Sequence, residues 1–150
     1  MNLQQLLSPD AVVTLAPGLS KKKVLEMIGD IAARQCPDIN AHAAFDAMLA
    51  RERLGSTGIG NGIALPHGRM DSTDKVVAVM VRLSQPIDFD ALDNQPVDLL
   101  FALFVPSEQC QAHLATLAAV ARTLSDKQTL KRLRQAGDDS ELYRILTEAA

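Results

Sequence analysis

The chain has 150 residues, 47% of them apolar and 22% charged, and a formal net charge of −3. This is the composition of a globular protein, and it excludes disordered and fibrous classes; one compact domain over residues 1–150 is expected, large enough for a core without covalent staples. The weak acidic balance, with no basic stripe, argues against a dedicated nucleic-acid binder, and no apolar stretch approaches the roughly 20 residues that cross a bilayer. Cys36 and Cys110 lack the close spacing of a zinc site or a redox pair and read as free thiols. The opening Met-Asn-Leu-Gln-Gln has neither the charged start nor the apolar core of a signal peptide, so a soluble cytoplasmic protein is expected.

In chain order, a short apolar opening from Leu3 to Leu7 ends at Ser8-Pro9, and Val12 to Leu15 reads as a brief β-branched strand. Pro17-Gly18 turns the chain, and Ser20 caps a helix whose apolar positions Val24, Ile28, Ile31 and Ala32 recur at helical spacing up to Pro37. Lys21, Lys22 and Lys23 oppose that helix's dipole and read as a solvated cluster. Asn40 caps a second helix, with Ala41, Ala44, Phe45, Met48 and Glu52 on one stripe, running to about Arg53 before Gly55. His42 falls off the stripe and is expected at the surface.

Gly58, Gly60 and Gly62 then alternate with Ile59 and Asn61 and lead through Ile63-Ala64-Leu65-Pro66 into His67. Glycines at this density weaken a strand and suit a place where backbone must come close to something. The runs Val76 to Val81 and Leu99 to Val105 are near-continuously apolar, as in strands buried on both faces by helices. Between them, bounded by Pro86 and Pro96, Asp88, Asp90, Asp93 and Asn94 mark a polar loop without the glycine and final glutamate of a calcium-binding EF-hand loop. Ser107 is placed as the cap of a third long helix carrying Cys110, His113, Leu114, Leu117, Ala121 and Leu124 on one stripe. Ser125 with Gln128 reads as a capping box for a fourth helix, Gly137 ends it, and Ser140 opens the last, with Leu142, Ile145 and Leu146 inward.

The glycine pattern fails as a nucleotide-binding loop. Ile63-Ala64 stand where a P-loop needs Lys-Ser/Thr, and Pro66 blocks the helix that a dinucleotide fingerprint should open. A histidine at the end of a short strand, directly after a proline of fixed φ, can instead present one ring nitrogen outward. With its other nitrogen donating to a backbone carbonyl, that nitrogen is a neutral nucleophile suited to attack on phosphorus. Phosphoryl transfer then needs donors and a cation for the equatorial oxygens. The glycine amides and the hydroxyls of Ser56 and Thr57 are the candidate donors, and Arg51, Arg53 and Arg69 are the candidate cations. Arg51 and Arg53 each lie roughly 100° from the centre of the apolar stripe, on opposite sides, so spacing does not choose between them. His113, alone on an inward stripe, is on composition more often a core residue than a catalytic one. A metal ranks below phosphate, because His67 and His113 form no ligand motif and no third ligand is evident.

The segment Arg51-Glu52-Arg53-Leu54-Gly55-Ser56-Thr57-Gly58-Ile59-Gly60-Asn61-Gly62-Ile63-Ala64-Leu65-Pro66-His67-Gly68 resembles the active-site segment of the mannitol/fructose-type enzyme IIA domains of the bacterial phosphoenolpyruvate-dependent phosphotransferase system. The block from Asp93 to Pro106 resembles the same family, most closely its nitrogen-regulatory branch, and the similarity spans nearly the whole chain. The resemblance implies that His67 accepts a phosphoryl group from an HPr-like phosphocarrier loaded through an enzyme I. It implies Arg51 as the supporting cation, His113 as a second active-site imidazole, and no cofactor. The implied fold is α/β, a mixed five-stranded sheet sandwiched between helices in a single three-layer domain. Neither a cysteine-bearing IIB domain nor a membrane IIC domain is read in the chain, which favours a free-standing carrier that regulates target proteins through its phosphorylation state. The alternatives are a binding module independent of phosphorylation and a free-standing IIA that serves a sugar-specific IIB.

Overall fold

The computed structural model describes residues 3–149. Two short elements, α1 (Leu3–Leu6) and a 3-10 turn at Pro9–Ala11, precede β1 (Val12–Leu15). There follow α2 (Lys21–Gln35), α3 (Ala41–Arg53), β2 (Gly58–Gly60), β3 (Ile63–Ala64), β4 (His67–Met70), β5 (Val77–Ile87) and β6 (Val97–Pro106). After a 3-10 turn at Ser107–Gln109, α4 (Cys110–Ser125), α5 (Lys127–Gln135) and α6 (Asp139–Ala149) complete the order.

The sheet is mixed, as expected. It runs β1-β5-β6-β3-β2, with β4 placed beyond β3 along the same side of β6. β5 and β6 are antiparallel neighbours at its centre; β1 is parallel to β5, β3 and β4 are parallel to β6, and β2 is antiparallel to β3. Six strands form among the described residues, one more than expected, because Leu65-Pro66 interrupts the run from Ile63 to His67. β3 pairs with Leu99 and Leu100, and the ladder resumes at His67 opposite Leu103. Proline has no N–H for the ladder, although its carbonyl still accepts from Leu103 N at 3.0 Å. His67 therefore opens β4 rather than closing a strand.

Side-chain alternation sorts the helices onto two faces. A Cβ on Gly68 would stand 2.8 Å from the Ala47 Cβ of α3, so α2 and α3 cover the face to which Gly68 points. His67 and Arg69 point the other way, toward α4. On that second face Arg82 of β5 donates to Leu133 O and Ala136 O at the end of α5, and Thr14 of β1 donates to Asp139 of α6. The centre of the sheet is sealed between these layers: Val77 to Val81 and Leu99 to Val105 are all buried. Each fully buried aliphatic or Phe side chain there contributes about 1.5–3 kcal/mol of transfer free energy. Among the described residues, no helix is long and apolar enough to cross a membrane.

Ser20 and Asn40 cap α2 and α3 as expected, accepting from Lys23 N and Ala43 N. The later caps differ. Ser125 donates back to Ala121 O inside α4, so Asp126 takes over as the cap of α5, accepting from both the N–H and the hydroxyl of Thr129. Asp138 rather than Ser140 accepts from Glu141 N at the start of α6. Ser107 donates to Asp71 across the chain, and α4 begins without a side-chain cap. Lys21, expected among solvated lysines, is instead half-buried at the α2–α3 junction, where it pairs with Glu52.

The two Thr129 bonds favour the ionised form of Asp126 and hold its pKa below the ordinary carboxylate value. A depressed folded-state pKa contributes stability above the unfolded-state value, and the contribution is lost as pH falls through the folded one. Asp126→Ala is accordingly expected to lower the melting temperature at neutral pH. The gap from wild type should close progressively as pH falls below about 4, in melts followed by circular dichroism.

Candidate functional site

β4 brings His67 to an open cleft of about 640 Å³ between the C-terminal end of α3 and the first half of α4. Leu103 and Val105 of β6 form its floor. Arg51 and Leu54 line one side, and Cys110, His113, Leu114 and Leu117 the other. Arg69, two residues beyond His67 on the same strand face, stands at the edge.

The His67 ring is half-buried, and its Nδ1 lies 3.0 Å from Leu65 O. A carbonyl oxygen only accepts, so Nδ1 carries the proton and Nε2 of the neutral ring holds its lone pair. Nε2 has no hydrogen-bond partner among the described residues. Two constraints create this geometry. Pro66 fixes the backbone between Leu65 and His67, and Leu65 N donates to Thr57 O at 3.0 Å, which ties the approach to His67 to the start of the glycine segment.

The far end of that segment is held independently. Gly60, Asn61 and Gly62 all have positive φ. Asp93 accepts from Asn61 N, while Arg134 donates to Asn61 O and grips Asp98 through two bonds of 2.9 Å. A Cβ on Gly62 would come within 2.5 Å of the Arg134 guanidinium. At this position the glycine admits a latch.

Of the three arginine candidates, Arg51 and Arg69 border the cleft and Arg53 does not. Arg51 is half-buried and rests on the turn that follows α3, donating from Nη1 to Gly55 O at 2.9 Å. Neither Arg51 nor Arg69 forms an ion pair with a carboxylate among the described residues, so both guanidinium groups are available to an anion. His113 is not sealed in the core: it is half-buried, faces the cleft, and has Nδ1 3.3 Å from Thr116 Oγ1.

Ser56 and Thr57, expected as phosphate donors, do not line this cleft. The Ser56 hydroxyl donates to Phe89 O at 2.9 Å and accepts from Gly58 N. The buried Thr57 gives both its N–H and its hydroxyl to Glu52 Oε1. Their bonds hold the turn that carries Arg51 and the base of the glycine hairpin.

Sequence reasoning missed Glu52 and Lys21, although a carboxylate on the apolar stripe of α3 was a visible signal, since buried carboxylates require partners. It also missed the exposure of Leu54 and Leu114 at the cleft rim, 84% and 60%. Among the described residues, no three His, Cys, Asp or Glu side chains are grouped to hold a metal ion.

Residues 5–149 match the family model described as phosphoenolpyruvate-dependent sugar phosphotransferase system, EIIA 2. The chain belongs to this family. Among EIIA 2 relatives, it is 49% identical to the nitrogen regulatory protein of Klebsiella oxytoca over 150 residues, covering 99% of this chain and 92% of that protein. It is 54% identical to the nitrogen regulatory protein of Escherichia coli (strain K12) over 130 residues, covering 86% and 79% respectively. The crystal structure of nitrogen regulatory protein IIA-Ntr from Neisseria meningitidis superposes with a TM-score of 0.88 at 33% identity, covering 97% of this chain and 99% of that one. The crystal structure of IIA mannitol from Escherichia coli shares the fold at 19% identity and a TM-score of 0.73, covering 92% of this chain and 96% of that one.

Proposed function

We propose that this EIIA-family protein is a phosphohistidine carrier, loaded at His67 Nε2 by an HPr-like phosphocarrier, whose phosphorylation state governs its binding to target proteins. The observation that carries the proposal is the Nδ1–H···O bond to Leu65, which leaves Nε2 as a lone-pair nucleophile in a cleft shared with Arg51 and His113. The names of the relatives above support a role in nitrogen regulation.

In the transfer step the Nε2 lone pair forms a bond to phosphorus as the N–P bond of the donor's phosphohistidine breaks, and the donor imidazole leaves with that electron pair. No proton leaves His67, because Nδ1 keeps its hydrogen on Leu65 O. Arg51 supplies the planar fork for two equatorial oxygens. With the Thr116 hydroxyl donating to Nδ1 of His113, the Nε2–H of that ring serves as a further donor. Ser56 and Thr57 act by positioning, given their internal bonds. The exposed Leu54 and Leu114 provide an apolar rim for a docking protein, and a phosphoryl group beside them adds about −1.5 to −2 charges to that face.

Incubation with phosphoenolpyruvate, enzyme I and the phosphocarrier should give an acid-labile, alkali-stable phosphoprotein; no uptake with a competent donor overturns the proposal. His113→Ala is expected to slow uptake by up to about 100-fold. The ring is only half-buried, so melting should move by no more than about 0.5 kcal/mol. A large loss of stability with normal uptake would return His113 to a structural role.

A further inference from the structure

Glu52 lies next to Arg51 on α3 with only 3% of its side chain exposed, and three groups converge on it. Thr57 donates its N–H, at 3.0 Å, and its hydroxyl to Oε1. Lys21 Nζ stands 3.0 Å from Oε2. Lys21 is itself held: its ammonium donates to Phe89 O at 3.1 Å and lies 4.3 Å from the centroid of the buried Phe89 ring. The Phe89 carbonyl also accepts from Ser56. One carboxylate thus joins the start of α2, the end of α3, the turn after α3 and the loop before β6.

The chain of bonds continues to the reactive ring. Thr57, fixed by Glu52, accepts from Leu65 N through its carbonyl at 3.0 Å, and Leu65 O in turn accepts from His67 Nδ1 at 3.0 Å. Arg51 is held separately, through the main chain: Gly55 N donates to the backbone carbonyl of Glu52 and Gly55 O accepts from Arg51. We infer that Glu52, held in place by Lys21, is a positioning residue that sets the Nδ1–H tautomer of His67, so that Nε2 is the nitrogen that reacts. The inference deepens the phosphocarrier proposal and rests on it, since it assigns a second layer to that same site.

The physical basis is that neutral imidazole has two tautomers and only a fixed acceptor selects one. Removing the Glu52 carboxylate leaves the buried Thr57 N–H and hydroxyl without their acceptor. The Thr57–Leu65 link then loosens and the Leu65 carbonyl loses its fixed position. Displacements of about 1 Å at a distance from the chemistry slow transfer by up to about 100-fold.

The test uses the whole chain and two readouts. Long-range ¹H–¹⁵N NMR of the unphosphorylated protein at mildly alkaline pH reports which nitrogen of His67 bears hydrogen. Initial rates of uptake from the phosphorylated phosphocarrier separate kcat from KM. Wild type should show Nδ1–H alone. Glu52→Ala should populate the other tautomer and lower kcat by about 10- to 100-fold with KM little changed. Glu52→Gln, which keeps an oxygen for Thr57, should restore both readouts. Leu142→Ala, in the buried face of α6, should lower the melting temperature without moving either. Should Glu52→Ala fail to fold, the double variant Lys21→Met with Glu52→Met removes both charges together, leaves neither unpaired and is read in the same way. A folded Glu52→Ala protein, or a folded Lys21→Met/Glu52→Met protein, that keeps the wild-type tautomer and kcat overturns the inference. If wild type accepts no phosphoryl group, the carrier proposal fails, while the tautomer readout still decides whether Glu52 positions the ring.

Discussion

Replacing His67 by Gln is expected to abolish phosphoryl uptake while leaving the fold intact. The glutamine amide keeps polar atoms near Leu65 O but offers no neutral nitrogen lone pair, because its nitrogen is conjugated with the carbonyl, so no N–P bond forms. Structural cost is small for a half-buried ring whose one hydrogen bond is to a local carbonyl; net values for such a bond are about 0.5–1.5 kcal/mol. The measurement is radiolabel incorporation from phosphoenolpyruvate through enzyme I and the phosphocarrier, with a melting curve of the same sample. Label retained in a folded Gln variant would move the acceptor elsewhere, and His113 would be the next ring to substitute, since it faces the same cleft.

The second large effect concerns Arg51. In a loose phosphoryl-transfer transition state, charge spreads over three equatorial oxygens, and positioned donors supply most of the stabilisation. Removing the guanidinium by Arg51→Ala should slow uptake by about 100- to 1,000-fold, the range for loss of one preorganised donor. Arg51→Lys should recover only part of this, because an ammonium is a point charge without the planar fork. The Gly55 bond it breaks is solvent-accessible, so the loss of stability should stay below about 1 kcal/mol. Arg69 provides the internal comparison. It reaches the same cleft from β4, and a larger rate loss from Arg69→Ala than from Arg51→Ala would transfer the clamp to the strand.

Much of the site was legible because it is local in sequence. Pro66 and His67 are adjacent, so a ring of restricted freedom follows from proline geometry, whereas which ring nitrogen meets a carbonyl was left open by the sequence and is Nδ1, on Leu65 O, in the structure. The buried runs of β5 and β6 declared themselves by continuous apolarity, and the caps of α2 and α3 by Ser20 and Asn40. Two of the capping misplacements, at Ser107 and Ser125, share one cause. In each, the serine hydroxyl is engaged by another acceptor and does not cap. Ser125 turns back to Ala121 O, and Ser107 reaches across to Asp71.

By itself, the sequence determined the two central strands, through continuous apolarity, and the flanking helices, through hydrophobic period, while the mixed sheet came from the family resemblance. Helical spacing left Arg51 and Arg53 equivalent, and the resemblance alone pointed to Arg51; the tertiary structure puts Arg51 and Arg69, and not Arg53, at the cleft that holds His67, because a strand and α4 close over one side of α3. Tertiary packing also gave Ser56, Thr57, Lys21 and Glu52 internal partners, drawing together side chains from α2, α3 and the turn that follows α3. A buried carboxylate needs partners, and folding recruits them from neighbouring elements according to the distances it creates.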